Sequence, residues 1–147
     1  MSLKISIIVP CFNGENYLEE CLNSIVSQDY ENIEILFVDN ESTDNSLKIA
    51  KKFKNSHFDK FKIGSAKNIF KYSWTEPVEE ALSRMKGDYF TIIAVDDIIA
   101  PDYISNVVKV LESLKSEVLC MQSPILRVQS GNMDMLTVWK PLHSPVE

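Results

Sequence analysis

The sequence predicts an α/β fold, a mostly parallel sheet with helices on both faces. Three observations carry that expectation. Short β-branched runs alternate with segments whose apolar residues recur at helical spacing. The runs are nearly continuous in apolar character, as strands covered on both faces are. Polar clusters follow three of them, Pro10-Cys-Phe-Asn13, Asp39-Asn40 and Asp96-Asp97. Those are the strand ends beyond which open parallel sheets gather ligands.

Lys4-Ile-Ser-Ile-Ile-Val9 reads as the first strand, ended by Pro10. Asn13-Gly14 is a turn, and Asn16 with Glu19 has capping-box spacing. Tyr17, Leu18, Cys21, Leu22, Ile25 and Val26 then share one helical face, which ends near Gln28-Asp29. Ile33–Val38 is the second strand, and Ser42-Thr43-Asp44 starts a helix with Leu47, Ile49, Ala50 and Phe53 inward. Residues 54–73 are less regular, with a short strand near Phe61–Ile63. Thr75-Glu-Pro77 opens a third helix, because proline is tolerated in a first turn, and Gly87 is its stop. Tyr89–Val95 reads as a buried strand, and Pro101 opens a helix with Tyr103, Ile104, Val107, Val108, Leu111 and Leu114 inward. Glu117–Gln129 is strand-like but interrupted at Pro124, Ser130-Gly-Asn132 is a turn, and Met133–Trp139 reads as a returning strand.

Composition narrows the function. A chain of 147 residues with 45% hydrophobic and 24% charged side chains is one domain with a proper core, not a disordered segment. A net charge of −6 argues against a nucleic-acid partner, while a nucleotide ligand remains compatible if metal and backbone N–H groups meet its phosphates. Cys11, Cys21 and Cys120 match no disulfide or zinc pattern and read as buried thiols in a reducing compartment. His57 and His143 are isolated and read as surface or internally satisfied groups. No apolar run approaches a membrane span and no signal-peptide pattern is present. The expected location is therefore cytoplasmic, with peripheral attachment at the inner face of the membrane left open. Gly-x-Gly-x-x-Gly and Walker A sequences are absent. A receiver domain would need its acidic pair after the first strand, where Pro10-Cys-Phe-Asn13 stands.

Asp96 and Asp97 are the sharpest local feature. Two adjacent carboxylates at the exit of an apolar run need solvent, a cation or hydrogen-bond donors. Either they are exposed loop acids, or they hold a divalent metal or a polyhydroxyl ligand.

Several segments together resemble the inverting family-2 glycosyltransferases of the GT-A fold. They are Ile5-Ser-Ile-Ile-Val-Pro-Cys-Phe-Asn-Gly-Glu-Asn-Tyr-Leu18, Ser24-Ile-Val-Ser-Gln28, Ile35-Leu-Phe-Val-Asp-Asn-Glu-Ser-Thr-Asp44, Lys86-Gly-Asp-Tyr89 and Ala94-Val-Asp-Asp97 with Pro101-Asp102. The resemblance implies a nucleotide-diphospho-sugar transferase-like enzyme that moves a sugar from a nucleoside diphosphate donor to a hydroxyl acceptor with inversion. By that resemblance Pro10, Cys11 and Phe12 border the donor base, Asn40 sits at the base edge with Asp39 supporting it, and Asp96 takes the ribose hydroxyls. Asp97 coordinates the Mg²⁺ or Mn²⁺ that bridges the diphosphate, a task suited to hard oxygen ligands. Three departures stand out. Ala94 occupies the first position of the usual Asp-x-Asp-Asp, Asn40 replaces a frequent Asp, and the family's phosphate-side arginine is missing, leaving Lys67 and Lys71 as its candidates. An amide at Asn40 still suits UDP or dTDP, because it offers both an acceptor and a donor to a pyrimidine edge. Trp74 fits either the donor site or the core. The acceptor is expected to be a saccharide or lipid-linked, in polysaccharide biosynthesis, and a homodimer stays open. The family's catalytic base falls beyond this stretch, and Asp134 lies in a connecting hairpin. Residues 1–147 therefore read as a single donor-binding domain, shortened at its C-terminal end. The alternative is a nucleotide-sugar-binding domain without catalysis.

Overall fold

The computed structural model describes residues 2–69 and 74–113, and the strand backbones 126–129 and 132–135. The chain divides into two compact units, Met1–Ser113 and Leu114–Glu147.

The first unit runs β1 (Ile5–Cys11), α1 (Leu18–Val26), β2 (Ile33–Asp39), α2 (Ser46–Ser56), β3 (Phe61–Ser65), α3 (Thr75–Arg84), β4 (Tyr89–Ile92) and α4 (Tyr103–Ser113). Its sheet has the order β3-β2-β1-β4, and every pairing is parallel. β1 and β2 are central and buried along their whole length, which explains their unbroken apolar character. Alternate residues of these strands feed two cores. Ile5, Ile7, Val9, Ile35 and Phe37 pack on one face with Leu18, Leu22 and Ile25 of α1, Ala50 of α2, and Ile104 and Val108 of α4. Ile8, Leu36 and Val38 pack on the other face with Ala81 and Val78 of α3. Helices thus cover both faces, as the sequence predicts. Phe37 and Phe61 stack at 6.3 Å between centroids in the larger core. Each such buried side chain contributes about 1.5–3 kcal/mol.

Several boundaries differ from expectation for identifiable reasons. Pro10 does not end β1. Asn40 N–H donates to the Cys11 carbonyl, and the pairing with β2 runs on to Cys11 and Asp39. The missing N–H of Pro10 faces the other neighbour, where pairing with β4 stops at Ile8 and Ile92. Ile93 N–H still donates to the Ile8 carbonyl, and the following bond of that ladder would need the Pro10 N–H. The run Tyr89–Val95 is therefore strand only to Ile92. Nor is it uniformly buried: among the described residues β4 pairs with β1 alone, and Phe90 is 47% exposed. The Asn16–Glu19 capping box does not form; α1 begins at Leu18 after Tyr17, with no side-chain cap. α2 begins at Ser46, later than Ser42-Thr43-Asp44 suggests. α3 stops at Arg84 with Met85 extended, so Gly87 is not its cap. A Cβ on Gly87 would lie 2.7 Å from the Ser6 backbone nitrogen and 2.9 Å from the Lys4 carbonyl, and glycine is there because the chain passes against β1.

The second unit contributes an antiparallel hairpin, β5 (Leu126–Gln129) with β6 (Asn132–Met135), and Asp134 is in register with Arg127. The readings at 117–125, 130–131 and 136–139 lie outside the described residues, as do Lys71, Cys120 and His143. Among the described residues no helix is long and apolar enough to cross a membrane.

Candidate functional site

The carboxyl ends of β1 and β2 and the exit from β4 converge on a cleft of about 260 Å³. It is lined by Pro10, Cys11, Phe12, Asn40, Trp74, Pro77, Ala94, Val95 and Asp96. Parallel pairing sets this geometry: β1, β2 and β4 run in the same direction, so the chain leaves all three at the same end of the sheet. Of the sequence candidates, Pro10, Cys11, Phe12, Asn40 and Asp96 are brought together here. Asp39 lies behind them, 7% exposed, and its Oδ1 accepts the Ser42 N–H at 3.4 Å. Its carbonyl accepts the Ala66 N–H and ties β2 to the segment after β3. Lys67 is exposed on that segment and does not line the cleft. Trp74 resolves to the cleft wall, 57% exposed.

Asp96 and Asp97 are both exposed, in a turn closed by the Asp97 N–H donating to the Ala94 carbonyl at 3.0 Å. The Cys21 thiol donates to the same carbonyl at 3.4 Å. Burial, and after it the charges of Asp97 and Asp96, push the Cys21 thiol up to about 12. Burial likewise raises Cys11. Both are free, buried thiols, as the sequence suggests, and protonation makes them poor nucleophiles. His57 is internally satisfied, its ring stacked on Phe53 at 6.1 Å and its Nδ1 3.2 Å from the Phe53 carbonyl.

The loops after β1 and β2 are laced together in a way the sequence reading missed. Asn13 N–H donates to Ser42 Oγ at 3.0 Å, and Asn13 Oδ1 accepts the Thr43 N–H at 2.7 Å. Gly14 N–H donates to Ser46 Oγ at 2.9 Å and Glu15 N–H to Asp44 Oδ2 at 3.0 Å. Glu15 Oε2 accepts the Asn45 N–H at 2.8 Å. This lattice holds Asn13 at φ 53°, and Glu41, next to Ser42 in sequence, has φ 59°, both in the left-handed region that non-glycine residues seldom occupy. The available signal was the density of Asn, Ser, Thr and Asp after both strands, which bond to backbone as readily as they cap helices. Gly14 is fixed by a close approach, since a Cβ there would lie 2.9 Å from Val95 Cγ2.

A family model described as "Glycosyl transferase family 2" matches residues 6–142. The chain belongs to glycosyl transferase family 2. Glycosyltransferase GlyA of Streptococcus pneumoniae is 34% identical over 122 residues, covering 78% of this chain and 16% of its own length. A dolichyl N-acetyl-alpha-D-glucosaminyl phosphate 3-beta-D-2,3-diacetamido-2,3-dideoxy-beta-D-glucuronosyltransferase of Methanococcus voltae is 35% identical over 117 residues, covering 77% of this chain and 35% of its own. S. aureus TarS, solved in complex with UDP, superposes with a TM-score of 0.63 at 28% identity, over 75% of this chain and 32% of the other. The mannosyltransferase PcManGT of Pyrobaculum calidifontis, solved with GDP-Man and Mn²⁺, gives a TM-score of 0.67 at 26% identity, over 76% and 33%. The fold is thus that of the GT-A glycosyltransferases. This family-2 chain spans about a third or less of the length of these relatives.

Among the described residues no three His, Cys, Asp or Glu side chains converge into a metal cage. What the family-2 chain offers is a partial set, two adjacent exposed carboxylates of which Asp96 lines the cleft. That set fits Mg²⁺ or Mn²⁺ shared with a ligand's phosphates, since such ions take one or two carboxylates and complete their shell with phosphate and water.

Proposed function

We propose that this chain forms the donor-binding part of an inverting, metal-dependent glycosyltransferase, which moves a sugar from a nucleoside diphosphate to a hydroxyl of a saccharide or lipid-linked acceptor. The observation that carries the reading is the cleft at the strand exits, lined by Asn40, Phe12, Trp74 and Asp96 among others. Apolar walls with a few convergent polar groups are what a nucleotide site needs. Pro10, Cys11 and Phe12 border the base, and Asn40, seated by Asp39 behind it, meets a pyrimidine edge with its amide. Asp96 accepts from the ribose hydroxyls. Asp97, with Asp96 beside it, holds Mg²⁺ or Mn²⁺. When bound, that cation stabilises the charge that grows on the leaving diphosphate. Lys67 and Lys71 are the candidate phosphate-side cations. In-line displacement then needs an oriented donor and a base on the acceptor hydroxyl.

A second reading, donor binding without transfer, is favoured by one feature: Asp96 is the sole carboxylate among the residues described as lining the cleft. Calorimetric titration of UDP, dTDP and GDP, with Mn²⁺ and with EDTA, tests the first step of both readings. Metal-dependent binding of UDP or dTDP is the expected result, and no binding of any nucleotide overturns both. Release of free UDP from a UDP-sugar, dependent on an added acceptor, separates transfer from binding alone.

A further inference from the structure

The structure assigns Ser24 and Gln28, one stripe of α1 and its C-terminal turn, as positioning residues for the loop that carries Asp96 and Asp97. The inference rests on the donor-site reading above. Cys21, Ser24 and Gln28 stand at i, i+3 and i+7, a single helical row. Each bonds the backbone of the segment around the aspartate pair. The Cys21 thiol donates to the Ala94 carbonyl, two residues before Asp96. Ser24 Oγ accepts the Ile99 N–H at 3.2 Å, two residues after Asp97. Gln28 Nε2 donates to the Ala100 carbonyl at 2.7 Å and to the Ser24 carbonyl at 3.0 Å, while its Oε1 accepts the Ile104 N–H at 3.0 Å. The Asp29 N–H adds a bond to the Pro101 carbonyl at 3.0 Å.

The chemistry explains why these residue types are needed. Residues 94–102 belong to no strand or helix, so their backbone groups have no ladder of their own. A glutamine supplies a donor and an acceptor at one side-chain end, so Gln28 ties the loop at Ala100 and the first turn of α4 at Ile104 together. The aspartates are exposed, and among the described residues no side-chain partner fixes their carboxylates. Their position is set by where this backbone is held. The row therefore acts on the carboxylates at a distance, and of the cleft-lining residues its hydrogen bonds reach Ala94.

The test uses the full chain with UDP as probe, by calorimetry in Mn²⁺ and in EDTA, together with amide hydrogen exchange at Ile99 and Ile104 in metal-free protein. Gln28→Ala should lower the Mn²⁺-dependent gain in UDP affinity by about tenfold, the usual range for groups that orient metal ligands. It should leave metal-free affinity within about twofold and speed exchange at Ile104. Ser24→Ala should do the same at Ile99 with a smaller loss of affinity, and Ser24→Thr, which keeps the hydroxyl, should restore both. If Gln28→Ala does not fold, the Ser24 pair carries the test. Asp97→Asn is measured in parallel to separate the two claims. If it abolishes the Mn²⁺-dependent gain while Gln28→Ala and Ser24→Ala keep it, the positioning role is overturned and the metal site stands. If Asp97→Asn keeps the gain, or the unsubstituted chain shows none, the donor-site reading falls and this inference with it.

Discussion

Glu34 and the Asp96–Asp97 pair are acids at opposite ends of the same parallel sheet, and their surroundings are opposite in kind. Glu34, second residue of β2, is 2% exposed under α3. Its carboxylate accepts from Ser6 Oγ at 2.7 Å, from Lys62 Nζ at 2.5 Å and from the Lys86 N–H. Ser6 Oγ in turn accepts the Gly87 N–H at 3.0 Å. Burial alone would raise this carboxyl, but the bonds from Lys62, Ser6 and Lys86 outweigh it and hold Glu34 at about 2. Asp96 and Asp97 lie beyond the exits, exposed, their backbone fixed and their carboxylates turned to solvent. A carboxylate that accepts three bonds from within the fold builds the fold. One held in place but left open is free to bind. The lesson is to read an acidic residue by the donors around it as well as by its place in a motif.

The contrast can be broken at either end. The largest effect is expected at Glu34→Ala, which strands buried donors and leaves Lys62 without its partner. Denaturant unfolding should show a loss of about 3–5 kcal/mol. The same carboxyl makes stability depend on pH. Its folded value lies below the usual 4.5, so its contribution is complete above about 4.5 and fades as pH falls towards about 2. Melts across that window should lose on the order of 3 kcal/mol, and Glu34→Gln should flatten the slope. Gly14→Ala sits between the two regions in size. Its methyl would press on Val95 beside the aspartates, for about 1–3 kcal/mol of stability and a measurable drop in nucleotide affinity. Asp97→Asn should leave stability within about 0.5 kcal/mol, as surface changes do, yet remove the Mn²⁺-dependent part of UDP binding. An equally large stability loss there would dissolve the contrast. The smallest effect belongs to the thiols: at pH 8, iodoacetamide should leave Cys11 and Cys21 unmodified in native protein and label both in urea, as followed by peptide mass spectrometry.

Much of this was legible from the residues. Continuous β-branched runs in β1 and β2 report double-sided burial directly, and the alternation with helical faces reports parallel crossovers. The polar exits follow from the topology, and five of the site candidates meet in one cleft. Where the sequence misleads, one local signal serves two structural ends. Pro10 reads as a strand stop, but a missing N–H matters on only one side of a strand, and neighbours decide which. The run to Val95 reads as strand because apolar character reports burial, not pairing; Ile93 is 5% exposed in the core without belonging to β4. Ser42-Thr43-Asp44 reads as a helix start because such side chains seek N–H groups, and here Ser42 and Asp44 take those of Asn13 and Glu15 in the loop after β1.

By itself the sequence determined what each segment could bury and which end of the sheet would be polar, since periodicity and composition act over a few neighbouring residues. Only the tertiary structure decided that Glu34 would meet Ser6, that Asn13 would be latched to Thr43, and that Gln28 would hold the backbone at Ala100 and Ile104. Those bonds join residues roughly 30 to 80 positions apart, and a hydrogen bond fixes geometry only once packing has brought donor and acceptor within about 3 Å.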